Sequence, residues 1–196
     1  MITVISLFEK QTDPSGVYIN TTSKSPTQWT TELSPFYLGP CDLYGGYVAK
    51  NMENGWQFSK VYACHIDADG DPTDDYFKWA EKGWSDSFAH RYPMGKGAIP
   101  QYSYWNGSHY GYIDARKHIY APLYARAVVK TKAYAKLKEL VDAGKSVYLL
   151  DYDAYRHREL NMTLTDVLNY PKKKMGHAFV LIMLLTNDEA LNQCKI

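Results

Sequence analysis

Glu53, Gln57 and Lys60 stand four and three residues apart in the stretch Met52-Glu-Asn-Gly-Trp-Gln-Phe-Ser-Lys60. On a helix that spacing puts a carboxylate, an amide and an amine on one face of two turns. A carboxylate beside an amine is a minimal set for general acid–base chemistry, or for nucleophilic chemistry once burial has removed the charge of the amine. Asp151 and Asp153 also have a structured address, because they follow the apolar run Ser146–Leu150 and strand ends are where α/β proteins build sites. The competing reading makes Glu53 and Lys60 solvated helix charges and the two aspartates a turn, and spacing alone favours it. No Gly-x-Gly-x-x-Gly after a strand, Walker loop, Gly-x-Ser-x-Gly or His-Glu-x-x-His is present. Cys41, Cys64 and Cys194 stand far apart with no Cys-x-x-Cys or Cys/His pairing. That argues against a disulfide framework and structural zinc and fits a reducing cytoplasm.

The elements that must hold these residues follow from patterning. A length of 196 residues and a mass of 22.5 kDa predict one domain, 1–196, with ordinary globular proportions of 45% hydrophobic and 22% charged residues. Ile2–Phe8 and Val17–Asn20 flank the turn signal Asp13-Pro-Ser-Gly16, which predicts an N-terminal hairpin over 1–20. Ser23–Pro40 reads as loop, and Met52–Tyr62 as a helix. The segment 67–111, rich in Gly and Pro and holding Trp79, Trp84 and Trp105, reads as an irregular insert with one helix near Asp75–Lys82. Asp114 is placed to cap a helix starting at Ala115, which Pro122 is expected to kink or break. Thr131 and Gly144 bracket a helix over Lys132–Ala143, Ser146–Leu150 is a buried-type strand, and the apolar run 177–185 is a central helix or strand.

Charge and aromatic content sharpen the question of partners. The net charge is +1, which gives no global case for nucleic acid. Arg116–Lys145, however, carries eight basic residues against two acidic, and Asp67–Ala89 seven acidic against two basic. The basic stretch is either a phosphate-contacting surface or a solvated helix face. Eighteen Tyr, five Trp and six Phe suit a stacking surface as well as a core. The N-terminus lacks a basic and then apolar leader, and no run approaches ~18 apolar residues, so neither export nor a membrane span is expected.

Taken in order, the motifs resemble the NADAR (YbiA-like) family. Glu53-x-x-Trp56-Gln57-x-x-Lys60, preceded by Ser34-Pro35-Phe36, matches its signature. Ala115-Arg116-Lys-His-Ile-Tyr120 is similar to its central helix, Leu140 to Gly144 to its helix end, Tyr148-Leu-Leu-Asp151-Tyr-Asp153 to its acid-ended strand, and Gly176 to Leu184 to its closing glycine and apolar helix. The order runs from about Ser34 to Leu185; Asn54, Arg156-His157 and Ala178 depart from the pattern. The resemblance implies a single-domain α+β NADAR-like fold, mainly helical around a small sheet. It also implies an N-glycosidase that cleaves a ribose C1–base nitrogen bond without metal or cofactor.

In that reading Glu53 is the carboxylate near the anomeric carbon, and Lys60 either protonates the leaving nitrogen or forms an imine with the opened sugar. Asp151 or Asp153 holds ribose hydroxyls or orients Lys60, and Gln57 joins the binding set. Gly176 offers backbone N–H groups to a pyrophosphate, Arg91 or Arg116 contacts phosphate, and Trp56 and Trp105 stack on a base. Three readings follow. The first is hydrolysis of ADP-ribosyl-guanine in DNA, an antitoxin or phage counter-defence role in the host cytoplasm with no obligate protein partner. The second is cleavage of a free ribosylated pyrimidine of riboflavin metabolism. The third is a binding module that grips ADP-ribose or modified DNA without cleaving it.

Overall fold

The apolar run at 177–185 is a helix on which every residue from His177 to Met183 is buried, and the rest of the chain is arranged around it. The computed structural model describes residues 1–196. In chain order it contains strands β1 (Ile2–Ser6) and β2 (Val17–Asn20), helix α1 (Gln28–Thr31) and strands β3 (Cys41–Asp42) and β4 (Val48–Ala49). Helix α2 (Met52–Gln57), strand β5 (Lys60–Val61), helix α3 (Asp74–Ser85) and strands β6 (Tyr102–Trp105) and β7 (Ser108–Tyr110) follow. Then come helix α4 (Tyr112–Ala115), a π-helical turn (Arg116–Tyr120) and helices α5 (Ala121–Val128) and α6 (Lys132–Asp142). Strand β8 (Val147–Asp151) and helices α7 (Leu164–Asn169) and α8 (His177–Thr186) complete the α+β architecture.

The expected hairpin over 1–20 does not form. Asp13–Gly16 does turn the chain, but β1 and β2 lie on either side of β8 and both run parallel to it, with Ile2 and Val17 each opposite Val147. The reason is β8 itself. All five of its residues are buried, so both of its edges need a hydrogen-bonding partner, and a β1–β2 hairpin would have supplied only one. Helix α8 packs on β1 and β8 and meets α5 on its other side. Each fully buried Leu, Ile, Val or Phe of α8 contributes ~1.5–3 kcal/mol.

The expected helix over Met52–Tyr62 stops at Gln57. The Ser59 hydroxyl donates to the Trp56 carbonyl (2.8 Å), closing the helix end. Lys60 and Val61 then extend and pair antiparallel with Ser103 and Tyr102. In the insert the helix expected near Asp75–Lys82 forms as α3 and 86–101 holds no helix or strand, but the hairpin β6–β7 was not expected. Thr73 caps α3 by accepting from the Tyr76 N–H, and β6–β7 is a hairpin turned by Asn106-Gly107, both at positive φ (48° and 82°), the torsions of a type I′ turn. Ala49, Phe58, Val61, Tyr76, Ala80 and Trp84 form a second, smaller core. Helix α3 comes so close to the Phe58 ring that a Cβ at Gly83 would collide with it.

Two further expectations are corrected at the central helix. Gly111, not Asp114, is the N-cap, and Pro122 does not break the helix. The turn ahead of the proline widens instead, so that the Ala121 N–H reaches the Arg116 carbonyl five residues back. By contrast α6 and its ends are as expected, with Thr131 accepting from the Tyr134 N–H and Gly144 at φ 72°.

Candidate active site

Helix α2 is short and wholly buried, capped by the Asn51 side chain, which accepts from the Asn54 N–H. Its exit into β5 brings Lys60 back beneath the helix. The Lys60 Nζ donates to Gln57 Oε1 (2.6 Å), and Gln57 Nε2 donates to Glu53 Oε1 (2.9 Å). One amide thus bridges an amine and a carboxylate at the floor of a cavity of about 420 Å³, within the range of small-molecule sites. Lys60 Nζ also lies 4.8 Å from the Trp56 ring centroid. Glu53 is only 7% exposed, and burial raises its carboxyl against the opposing influence of the Gln57 hydrogen bond and of Lys60. Burial likewise lowers the Lys60 amine to about 8, although Glu53 opposes the shift. Against an unperturbed value near 10.4, roughly a tenth of the amine is then uncharged at neutral pH instead of fewer than one part in a thousand.

The opposite wall is the end of β8. Asp151 is buried; its Oδ2 lies 3.1 Å from His177 Nδ1 and accepts from the Ala178 N–H (3.3 Å) in the first turn of α8. His177 Nε2 faces the Thr21 carbonyl at 2.9 Å. Gly176 makes this close approach possible, because a Cβ there would run into the Asp151 carboxylate. Asp153, further out, pairs with Arg91 at 3.5 Å. Arg91 is carried on a loop held by Asn54, which is fully buried. Asn54 Nδ2 donates to the Asp86 and Phe88 carbonyls (3.0 and 2.8 Å), while Oδ1 accepts from the His90 N–H (2.8 Å). The Arg91 guanidinium lies 5.5 Å and 5.8 Å from the Tyr92 and Tyr152 ring centroids at the rim.

Folding therefore gathers Glu53, Trp56, Gln57, Lys60, Arg91, Arg116, Asp151, Asp153 and Gly176 around one cavity. Trp105 is not among its lining residues and packs against Tyr44, 5.0 Å between centroids. Arg116 lines the cavity but is spent on structure. Its Nη1 donates to the carbonyls of Val167, Leu168 and Tyr170, and its Nη2 to the Lys173 carbonyl and the Tyr112 hydroxyl, which fixes the segment leading into α8. Of the backbone N–H groups at the helix start opened by Gly176, expected to face a pyrophosphate, that of Ala178 donates to Asp151. The cavity also uses residues that sequence reasoning passed over: Tyr120, Lys174 and His177. His177 had a signal, being an ionisable residue opening an otherwise apolar run. Lys174 ends the run Lys172-Lys-Lys, and Tyr120 sits four residues after Arg116 on a helix turn.

The chain belongs to the family of unknown function DUF6939, whose model matches residues 4–167. That span contains Glu53, Lys60, Arg91 and Asp153 and ends before Gly176. No curated protein and no solved structure matches the chain.

Proposed function

We propose that this protein is a NADAR-like N-glycosidase that hydrolyses the bond between ADP-ribose and a guanine base in DNA. The observation that carries the reading is the Lys60–Gln57–Glu53 relay in the cavity, where burial moves the amine down and the carboxyl up. Groups shifted toward neutrality in opposite senses are suited to exchanging protons with a substrate near physiological pH. A module that only grips its ligand has no use for such a pair, which weighs against the purely binding reading.

Cleavage develops positive charge at C1, and Glu53 is the carboxylate available to steady it and to take a proton from the attacking water. Two routes use Lys60. As the ammonium it protonates the departing base nitrogen; as the free amine it attacks C1 of the opened sugar, expels the base and is released from the imine by water. Borohydride reduction during turnover separates them, since only the imine route leaves the sugar attached to Lys60.

DNA as carrier is supported by Lys60, Arg91 and Lys174 around the cavity and by Lys172 and Lys173 beside it. The free-metabolite reading is favoured by one observation: Lys130, Lys132 and Lys136, in the basic stretch, do not line the cavity. Charge reversal at these three, assayed with modified oligonucleotide across a salt series, separates the readings. A DNA substrate predicts weaker binding and a shallower salt slope, whereas unchanged turnover points to a small metabolite.

A further inference from the structure

Helix α4 and the π turn present Tyr112, Arg116 and Tyr120 to the cavity at intervals of four residues. In a plain α-helix residues four apart drift about 40° around the axis, and the wider π turn takes up that drift. Tyr120 is thereby held at the cavity with its ring against Trp56, 5.2 Å between centroids. It is 9% exposed, and its hydroxyl makes no hydrogen bond within the protein. Tyr124, one turn on and fully buried, donates its hydroxyl to the Leu33 carbonyl at 2.7 Å. The Tyr120 hydroxyl, by contrast, lies at the cavity and is free to bond a group that enters it.

Its neighbours identify the missing partner. Burial pushes the Tyr120 phenol well above the tyrosine range, with Asp151 and then Glu53 adding to the effect, so the group is a hydrogen-bond donor at every working pH. Asp151 uses Oδ2 for His177 and Ala178, while its Oδ1 has no partner in the protein. A group that accepts from one and donates to the other is a hydroxyl.

We propose that Tyr120 contacts substrate directly, its hydroxyl and Asp151 Oδ1 forming a subsite for one secondary hydroxyl of a ribose. The inference rests on the N-glycosidase reading for which ribose is meant, and it adds the group that grips the sugar and the hydrogen-bond direction. The ring is already packed against Trp56, so little freedom is lost on binding.

The test is Tyr120→Phe, which keeps the ring and removes the donor. Binding of ADP-ribose and of its analogues lacking the 2- or the 3-hydroxyl of the distal ribose is measured by calorimetry for both proteins, with thermal unfolding as the check on the fold. Tyr120→Phe is expected to weaken ADP-ribose about 3- to 10-fold and to leave one deoxy analogue unchanged, because the partner hydroxyl is already gone. Equal binding by both proteins, or the same loss for all three ligands, overturns the subsite. If the wild-type protein binds no ADP-ribose, the functional reading falls, and ribose 5-phosphate with its 2- and 3-deoxy forms carries the same comparison. Lack of Tyr120-dependent discrimination there overturns the subsite as well.

Discussion

Replacing Lys60 by Met should make the protein more stable and inactive. The Lys60 amine is lowered to about 8 from 10.5, so the folded state resists its charge while the unfolded chain does not. At pH 7 a shift of that size disfavours folding by about 3 kcal/mol, at 1.36 kcal/mol per unit. The sign follows from the lowered value: the penalty is full below 8, shrinks as pH rises from 8 toward 10.5, and is about 1.4 kcal/mol at pH 9.5. Methionine matches the unbranched stem and removes the charge, at the loss of the hydrogen bond to Gln57, about 1–2 kcal/mol, the attraction to Glu53 being already contained in the lowered value. The net gain at pH 7 is about 1–2 kcal/mol, or ~2–8 °C in Tm for a chain of this size. Denaturant unfolding of wild type and Lys60→Met at pH 7 and 9.5 reads it directly. A variant less stable than wild type at pH 7, or a difference that does not fall by pH 9.5, would refute the claim that Lys60 is held under electrostatic strain.

Further consequences concern the same site and its supports. The pH–rate profile should inflect near 8, falling above it if Lys60 acts as the acid and rising if it acts as the free amine; a flat profile between pH 7 and 9 removes Lys60 from the chemistry. Asn54→Ala deletes three hydrogen bonds to the Arg91 loop and should lower stability by about 2–4 kcal/mol. Its effect on substrate affinity should be non-additive with Arg91→Ala, and strict additivity in that cycle would show that the loop is not what Asn54 positions. Gly176→Ala drives a methyl into the Asp151 carboxylate, and a loss of about 1–3 kcal/mol is expected in thermal unfolding, with no loss if the close approach of Asp151 is not as described.

Much of this site was legible before folding was considered, but only where local signals and tertiary needs agreed. Thr131 and Gly144 bracket α6 because caps are local, and the buried run at 177–185 had one place to go. The β1–β2 hairpin failed because a turn signal reports where the chain bends, not which strand fills the gap, and β8 needed both edges covered. Glu53, Gln57 and Lys60 do converge, yet by a helix end and a strand start rather than by helical periodicity. Asn106-Gly107 was a readable hairpin signal inside an insert that is otherwise irregular apart from α3. Arg116 illustrates a different limit: its type suggests a phosphate ligand, and only the carbonyls around it reveal that its donors are taken. The aromatic excess divides the same way, with Trp84 and Tyr76 in the second core and Trp56 and Tyr120 at the cavity.

The central claim is tested most directly by intact-mass analysis of a guanine-ADP-ribosylated DNA oligonucleotide incubated with wild type, Glu53→Gln and Lys60→Ala. The N-glycosidase account predicts that wild type removes the ADP-ribose mass and restores unmodified oligonucleotide, and that the modification persists with both variants. Release by Glu53→Gln at near the wild-type rate, or no release by the wild-type protein, would contradict it.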